Sequence, residues 1–413
     1  MTELAAFSSE TGDLGDRPAS RPAVVETPTG IRSGTYVPEL ESLRGIAILL
    51  VFAFHADALL GMPFRNRAGT WPALPVALIW CGHTGVSLFF VLSAFLLSLP
   101  FLVEASGGRR VSRRAFYVRR ALRILPLFYA AVLVATVATS KGTSDLWRAF
   151  PYFTFLFSKF GAAVRMAPYS GGWWSLAIEM QFYLVLPLVA LVLGRGRRVI
   201  VLLLAAYATW WIAVALRWIA RDMHPAVLAL TLVGRSPLFL CGILAAWFYH
   251  RHGAAVRSRL AASSWLRLGG GDAALVLALA LLAALLRWKL FWNAWTVQYE
   301  SALLAPDGVL WALVVLGVLL LPLRLKPLLS NAALQRIGVL SYSLYLVHLP
   351  VLDLTLQQAR RFFPAVSISW SAFSAAWVAF AALLCLGISS LTYRYIERPF
   401  LARKARVADP SAA

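Results

Sequence analysis

The chain has 413 residues, of which 60% are hydrophobic and only 14% charged, with a formal net charge of +21 and a mean hydropathy of +0.72. A soluble domain carries about 25% charged residues and is less than half apolar, so this composition excludes an ordinary soluble fold and describes an all-α, polytopic integral membrane helix bundle. The positive charge does not point to nucleic acid, because most of the basic residues lie in short loops between apolar spans, where they set orientation.

Residues 1–36 are rich in Ser, Thr, Pro, Gly and acids and hold no apolar stretch of signal-peptide type, so they read as a disordered cytoplasmic tail. Ten apolar segments follow, at roughly 41–61, 76–102, 114–139, 173–194, 198–218, 226–250, 273–289, 306–323, 336–356 and 371–394, taking about 20 residues as the crossing length. They make one ten-span membrane domain over residues 37–402, and residues 403–413 form a short basic tail. One set of alternate loops holds Arg109, Arg110, Arg113, Arg114, Arg119, Arg120 and Arg123, then Arg195, Arg197 and Arg198, then Arg251, Arg257, Arg259 and Arg267, then Arg324, Lys326 and Arg336. The opposite set has fewer basic residues, dispersed among Asp145, Asp222, Glu300 and Asp307. An excess of Lys and Arg marks the inner side, which places both termini in the cytoplasm of a multi-pass plasma-membrane protein. The aromatic outer segment 140–172 is compatible with an interfacial or a re-entrant position. Cys81, Cys241 and Cys385 lie in or at the edge of apolar spans with no metal-ligand spacing or disulfide framework, so no metal site is expected.

The first span carries two ionisable groups. Arg44 and His55 are separated by GIAILLVFAF, about three helical turns, so they share one face and lie ~16 Å apart along the axis. Counting from the outer surface, His55 and Glu179 lie about six residues deep, His83 about seven, and Arg235 and His348 about nine, on five different spans. Titratable groups are costly in lipid and tolerable around a shared cavity. His55, with an ordinary pKa near 6.5, is the best general base, and Glu179 is the candidate carboxylate to orient its ring. His83 and His348 read as structural histidines, Arg235 as a counter-charge to Glu179 or a cavity residue, and Asp57 as solvated near the outer end of the span. Trp174, Ser175 and Tyr342 are further candidates for the cavity wall.

The run RRVSRRAFYVRRALRILP, residues 109–126, is a cationic patch that sets topology and meets anionic lipid. Within it Arg120 and Arg123 are three apart on a helix and share a face suited to phosphate, for which coenzyme A is the natural cytoplasmic ligand. Glu397 reads as structural: Pro399 is expected to stop the last helix, leaving Arg398 extended and Glu397 at a helix C-terminus, where it needs a cytoplasmic arginine as partner.

At these residues the chain resembles the acyltransferase family 3 of integral membrane proteins over about residues 37–402. LESLRGIAILLVFAFH, GHTGVSLFFVLSAFLLS, FYVRRALRILPLFY, WWSLAIEMQFYLVLP, GRSPLFLCG, GVLSYSLYLVHLP and YRYIERPF resemble the family's motifs in order. Ala94 stands where the family usually has Gly, a small-for-small change that still permits close helix approach. The resemblance implies transfer of an acyl group, commonly acetyl, from cytoplasmic acyl-CoA to a hydroxyl of a carbohydrate, glycolipid or macrolide-like acceptor. It implies a bacterial cell envelope setting and no bound cofactor, with acyl-CoA as co-substrate. It makes His55 the base, Arg44 its motif partner, Arg120 and Arg123 the cytoplasmic arginine pair and Glu179 the intramembrane acid. Arg44, near the inner surface, is also placed to steer the donor. Direct transfer and an acyl-enzyme are both compatible with the sequence, which fixes neither acceptor nor oligomeric state. The competing readings are a proton-coupled transporter or flippase of a glycolipid or small molecule, with Pro126, Pro187 and Pro237 breaking helices, and a non-catalytic scaffold or receptor. A transporter has no need of an arginine cluster set to take coenzyme A.

Overall fold

The computed structural model describes residues 37–61, 81–156, 165–193, 197–219, 231–291, 304–363 and 371–408. The expected tail 1–36, the last residues 409–413, Asp222, Glu300 and part of the segment 140–172 lie outside the described residues. The described residues hold helices and turns and no strand. The principal helices are α1 (Pro38–Leu59), α2 (Thr84–Ala105), α3 (Arg113–Thr139), α4 (Trp174–Leu193), α5 (Arg197–Ile219), α6 (Leu232–Ala262), α7 (Gly271–Phe291), α8 (Leu304–Leu320), α9 (Ala332–Val339), α10 (Ser341–Phe362), α11 (Ala372–Thr392) and α12 (Arg398–Ala408).

Each of the ten expected apolar segments overlaps a helix. Among the described residues six helices are long and apolar enough to cross a bilayer: α1, α2, α3, α6, α7 with the turn before it, and α11 running on into α12. A bent pair, Lys326–Val339 with Ser341–Phe362, qualifies jointly across a 63° break, and Trp174–Ala190 and Leu304–Leu320 are apolar but shorter. The protein is thus a multi-pass membrane helix bundle.

Small residues decide which helices touch. With lipid as apolar as the side chains, close backbone approach supplies much of the helix association. α2 is the hub, packing on α1, α4, α6 and α8. A Cβ added at Gly242 of α6 would come within 2.6 Å of the Ala94 Cβ, so this crossing needs two small residues. The ninth expected span, 336–356, is broken at Leu340 because α9 lies against α1: a Cβ at Gly338 would sit 1.9 Å from the Glu41 carbonyl oxygen. α1 is therefore held from both sides, by α2 and by α9.

The interior is not purely apolar. Asp307, expected in an outer loop, is 2% exposed within α8 and forms a 3.7 Å ion pair with Lys289 of α7. Its carboxylate also accepts from Thr84 Oγ1 at 3.2 Å and Ser87 Oγ at 3.0 Å, while Trp311 Nε1 donates to Thr84 Oγ1 at 2.8 Å. Pairing and hydrogen bonding are the conditions under which buried charge is tolerated, and here they tie α2, α7 and α8 together.

At the other end of the chain, Pro399 does not stop the helix. α11 passes through a π-turn, Tyr393–Glu397, into α12, and Arg398 is helical at φ −56 and ψ −43. Pro399 directly follows this π-turn, where the regular i→i−4 ladder is already interrupted, so its missing N–H is accommodated without ending the helix.

Candidate active site

Tyr342, Tyr345 and His348 recur every third residue along α10, which places them on one face. α10 packs beside α1. His348 meets His55 at one end, and Tyr342 lies with the arginines at the other.

His348 is fully buried. Its Nδ1 lies 2.9 Å from the Tyr345 carbonyl oxygen and 3.2 Å from that of Leu344. Both are acceptors only, so Nδ1 carries the hydrogen and the Nε2 of the neutral ring has the lone pair. That Nε2 is 3.2 Å from His55 Nδ1, which also lies 2.9 Å from the Val51 carbonyl oxygen. His55 Nδ1–H is therefore the shared donor, and the lone pair of His55 is on Nε2. His55 is thus a half-buried imidazole whose second nitrogen is ready to accept a proton. Phe54 packs edge-on against both His55 and His83, the latter at the turn that starts α2.

At the opposite end, Arg44 is half-buried and 3.7 Å from Glu41, within electrostatic reach of Arg123, Glu179 and Tyr183. Arg120 stacks over the Tyr183 ring at 5.8 Å. Tyr342 donates to the Ile124 carbonyl oxygen at 2.7 Å and stands near Arg123, Glu179 and Glu397. The structure thus gathers Arg44, Arg120 and Arg123, from α1 and α3, around two carboxylates.

Glu179 lies between the two ends. It accepts hydrogen bonds from Ser93 Oγ at 2.6 Å and from the Tyr183 hydroxyl, and it is within electrostatic reach of Tyr345. The residue that contacts the His55 ring nitrogen is His348, where Glu179 was expected; Glu179 takes its hydrogen bonds from Ser93 and Tyr183. The Tyr345 hydroxyl donates to the Gly172 carbonyl oxygen and accepts from Ser175 Oγ, each at 2.7 Å. Arg235 is buried with its guanidinium 5.0 Å over the Trp174 ring, and Glu179 draws its hydrogen bonds from Ser93 and Tyr183 rather than from Arg235.

Two further expectations are corrected. Asp57 is 5% exposed rather than solvated, because it lies on the same stripe of α1 as the buried Leu60. Glu397, 2% exposed, takes its hydrogen bond from Ser343 Oγ; Arg123 and Arg44 act on it electrostatically without the forked arginine contact expected of it. With the helix continuing past Pro399, Glu397 does not sit at a helix end. Sequence reading passed over Tyr345, Tyr183, Ser93 and Ser343, although the Tyr-x-x-Tyr-x-x-His spacing at 342–348 was a readable signal for the first.

The family model described as "Acyltransferase domain" matches residues 37–394. The chain belongs to this acyltransferase family. It is 25% identical over 397 residues to a peptidoglycan O-acetyltransferase of Listeria monocytogenes, covering 89% of this chain and 56% of that one. It is 29% identical over 171 residues to a putative peptidoglycan O-acetyltransferase of Bacillus subtilis, covering 37% and 23% respectively. Nodulation protein 10 of Rhizobium leguminosarum is 26% identical over 196 residues, covering 40% of this chain and 49% of that protein. The chain thus spans little more than half the length of the Listeria relative. No solved structure matches the chain at a significant level.

Proposed function

We propose that this membrane protein is an O-acyltransferase that moves an acyl group, acetyl by analogy with its relatives, from acyl-CoA to a hydroxyl of a cell-envelope carbohydrate. The observation that carries the reading is the His348–His55 pair, which leaves the lone pair of His55 on Nε2 at the far end of α1 from the arginine cluster. In the proposed step the acceptor hydroxyl gives its proton to His55 Nε2 as its oxygen attacks the thioester carbonyl. The C–S bond breaks, and the departing coenzyme A thiolate takes the proton back from the imidazolium. His348 Nε2 stabilises that imidazolium through the shared Nδ1–H, as the acid of a catalytic triad does. Arg120 and Arg123 bind the donor's phosphates and Arg44 steers its chain inward, a role for which guanidinium forks are suited. Glu179, Arg235 and Trp174 line the way between the two ends. In this account ten segments cross the plasma membrane of a bacterium, with both termini cytoplasmic.

The test is thioester cleavage by the purified protein in nanodiscs, supplied with acetyl-CoA and envelope glycan fragments. Acceptor-dependent release of free coenzyme A supports the reading. Binding or translocation of the glycan with no thioester cleavage favours the transporter instead.

A further inference from the structure

A second charged cleft shares no residue with this site. α6 has 31 residues and α8 has 17, roughly 46 and 26 Å of helix. The two run side by side, with Cys241 facing Gly308, so α6 overshoots. Its last turns stand as a wall beyond the end of α8, opposite the first turn of α1. The cleft between them has a volume of about 540 Å³. Four cations line it, Arg257, Arg267, Arg324 and Lys326, against one carboxylate, Glu39.

The cations are held at the cleft but not consumed by it. Lys326 pairs with Glu39 at 2.8 Å. Arg257 spends one donor on the Tyr249 hydroxyl at 2.7 Å, and Arg324 Nε donates to the Arg267 carbonyl oxygen at 3.1 Å. Each guanidinium has five donors, so most of them remain for a ligand. The Arg267 side chain makes no hydrogen bond or ion pair among the described residues. Asp272, in the first turn of α7, is occupied: it accepts from the backbone N–H groups of Arg324 and Leu325 at 3.1 and 3.0 Å and so fixes the loop that presents Arg324 and Lys326. The remaining wall, Val37 and Val318 to Leu323, is apolar.

We infer that this cleft binds the phosphate of an amphipathic ligand, its anion between the guanidinium groups and its apolar part along the end of α8. An anion offered three guanidinium groups and an ammonium gains several charge-assisted hydrogen bonds. Two sources carry this chemistry: the headgroup of an anionic phospholipid and a soluble phosphate ester. The inference stands independently of acyl transfer.

Thermal unfolding of the purified full chain in detergent tests it, with short-chain phosphatidylglycerol, short-chain phosphatidylcholine and adenosine 3′,5′-bisphosphate as probes. Phosphatidylglycerol is expected to raise Tm where phosphatidylcholine does not. The apparent affinity should fall about tenfold or more in Arg267→Gln with Arg324→Gln, the worth of one charge-assisted hydrogen bond, and should stay unchanged in Arg120→Gln with Arg123→Gln. Arg267→Gln alone, which loses no protein contact, guards against a folding defect and should weaken binding in the same direction. A response to phosphatidylglycerol only assigns the lipid; an equal response to the bisphosphate that is lost with Arg267 and Arg324 changed and kept with Arg120 and Arg123 changed assigns a soluble ester. No response above phosphatidylcholine, or one that survives the Arg267 and Arg324 changes, overturns the inference.

Discussion

His348 Nε2 lies 3.2 Å from His55 Nδ1, with the two ring planes inclined at 54°. The contact joins residues 293 apart in the chain and fixes which nitrogen of His55 carries the lone pair. His348→Leu should therefore lower kcat by up to about a hundredfold, the cost of a misplaced catalytic group, with KM for acyl-CoA little changed. His348→Gln retains an acceptor at similar reach and should recover part of the loss. Equal kcat in wild type and the Leu variant would remove His348 from the account. A matched rise in KM would make it a packing residue only.

Arg120→Gln together with Arg123→Gln should raise KM for acyl-CoA by about tenfold or more, as loss of charge-assisted contacts does, and leave kcat closer to wild type. The wild-type KM should itself rise with salt, since exposed charge contacts are screened beyond ~10 Å at 0.1 M. Steady-state kinetics at two ionic strengths checks both. Unchanged KM in the double variant would confine these arginines to topology.

Ser343→Ala should destabilise the protein by about 1–3 kcal/mol, because it strips a buried acceptor of its partner. Ser343 gives Glu397 the hydrogen bond on Oε1, and Glu397 Oε2 already has none. Glu397→Gln keeps an acceptor for Ser343 and should cost less stability. Unfolding midpoints of the two variants, compared at fixed detergent, would contradict this if Glu397→Gln proved the more destabilised.

Gly338→Ala should cost about 1–3 kcal/mol by overpacking, since the added methyl would meet the Glu41 backbone at 1.9 Å and α9 must lift off α1. Gly387→Ala is the control: nothing lies within 4 Å of that Cβ, and a mid-helix Gly to Ala change is neutral to stabilising by about 0.5–1 kcal/mol. A thermal melt in which both variants behave alike would show that α1 is not held by that contact.

The helices were legible because hydrophobic length is a one-dimensional property, and so was the pairing of Arg44 with His55 on one face of α1. What the sequence reported poorly was rotation. Depth along a span can be counted, but which neighbour a side chain meets depends on how helices turn about their axes, and that is decided by the close contacts at Ala94, Gly242 and Gly338. Glu179 and His348 stand at comparable counted depth, and only packing shows that His348 faces His55 while Glu179 faces Ser93 and Tyr183. Asp307 was read as a loop charge because its neutralising partners, Lys289, Thr84 and Ser87, come from helices distant in sequence. Glu397 was misread through the local rule that proline ends a helix, which the π-turn Tyr393–Glu397 just before Pro399 relieves.

His55 is proposed as the base of an acyl transfer to envelope glycans. The direct measurement is O-acyl content of those glycans, by mass spectrometry, in cells lacking the protein and complemented with wild type or His55→Ala at matched membrane levels. Wild type should restore the modification, and His55→Ala should leave it at the level of the deletion, since a positioned base contributes about a hundred- to ten-thousandfold. Restoration by His55→Ala to the wild-type level would contradict the account.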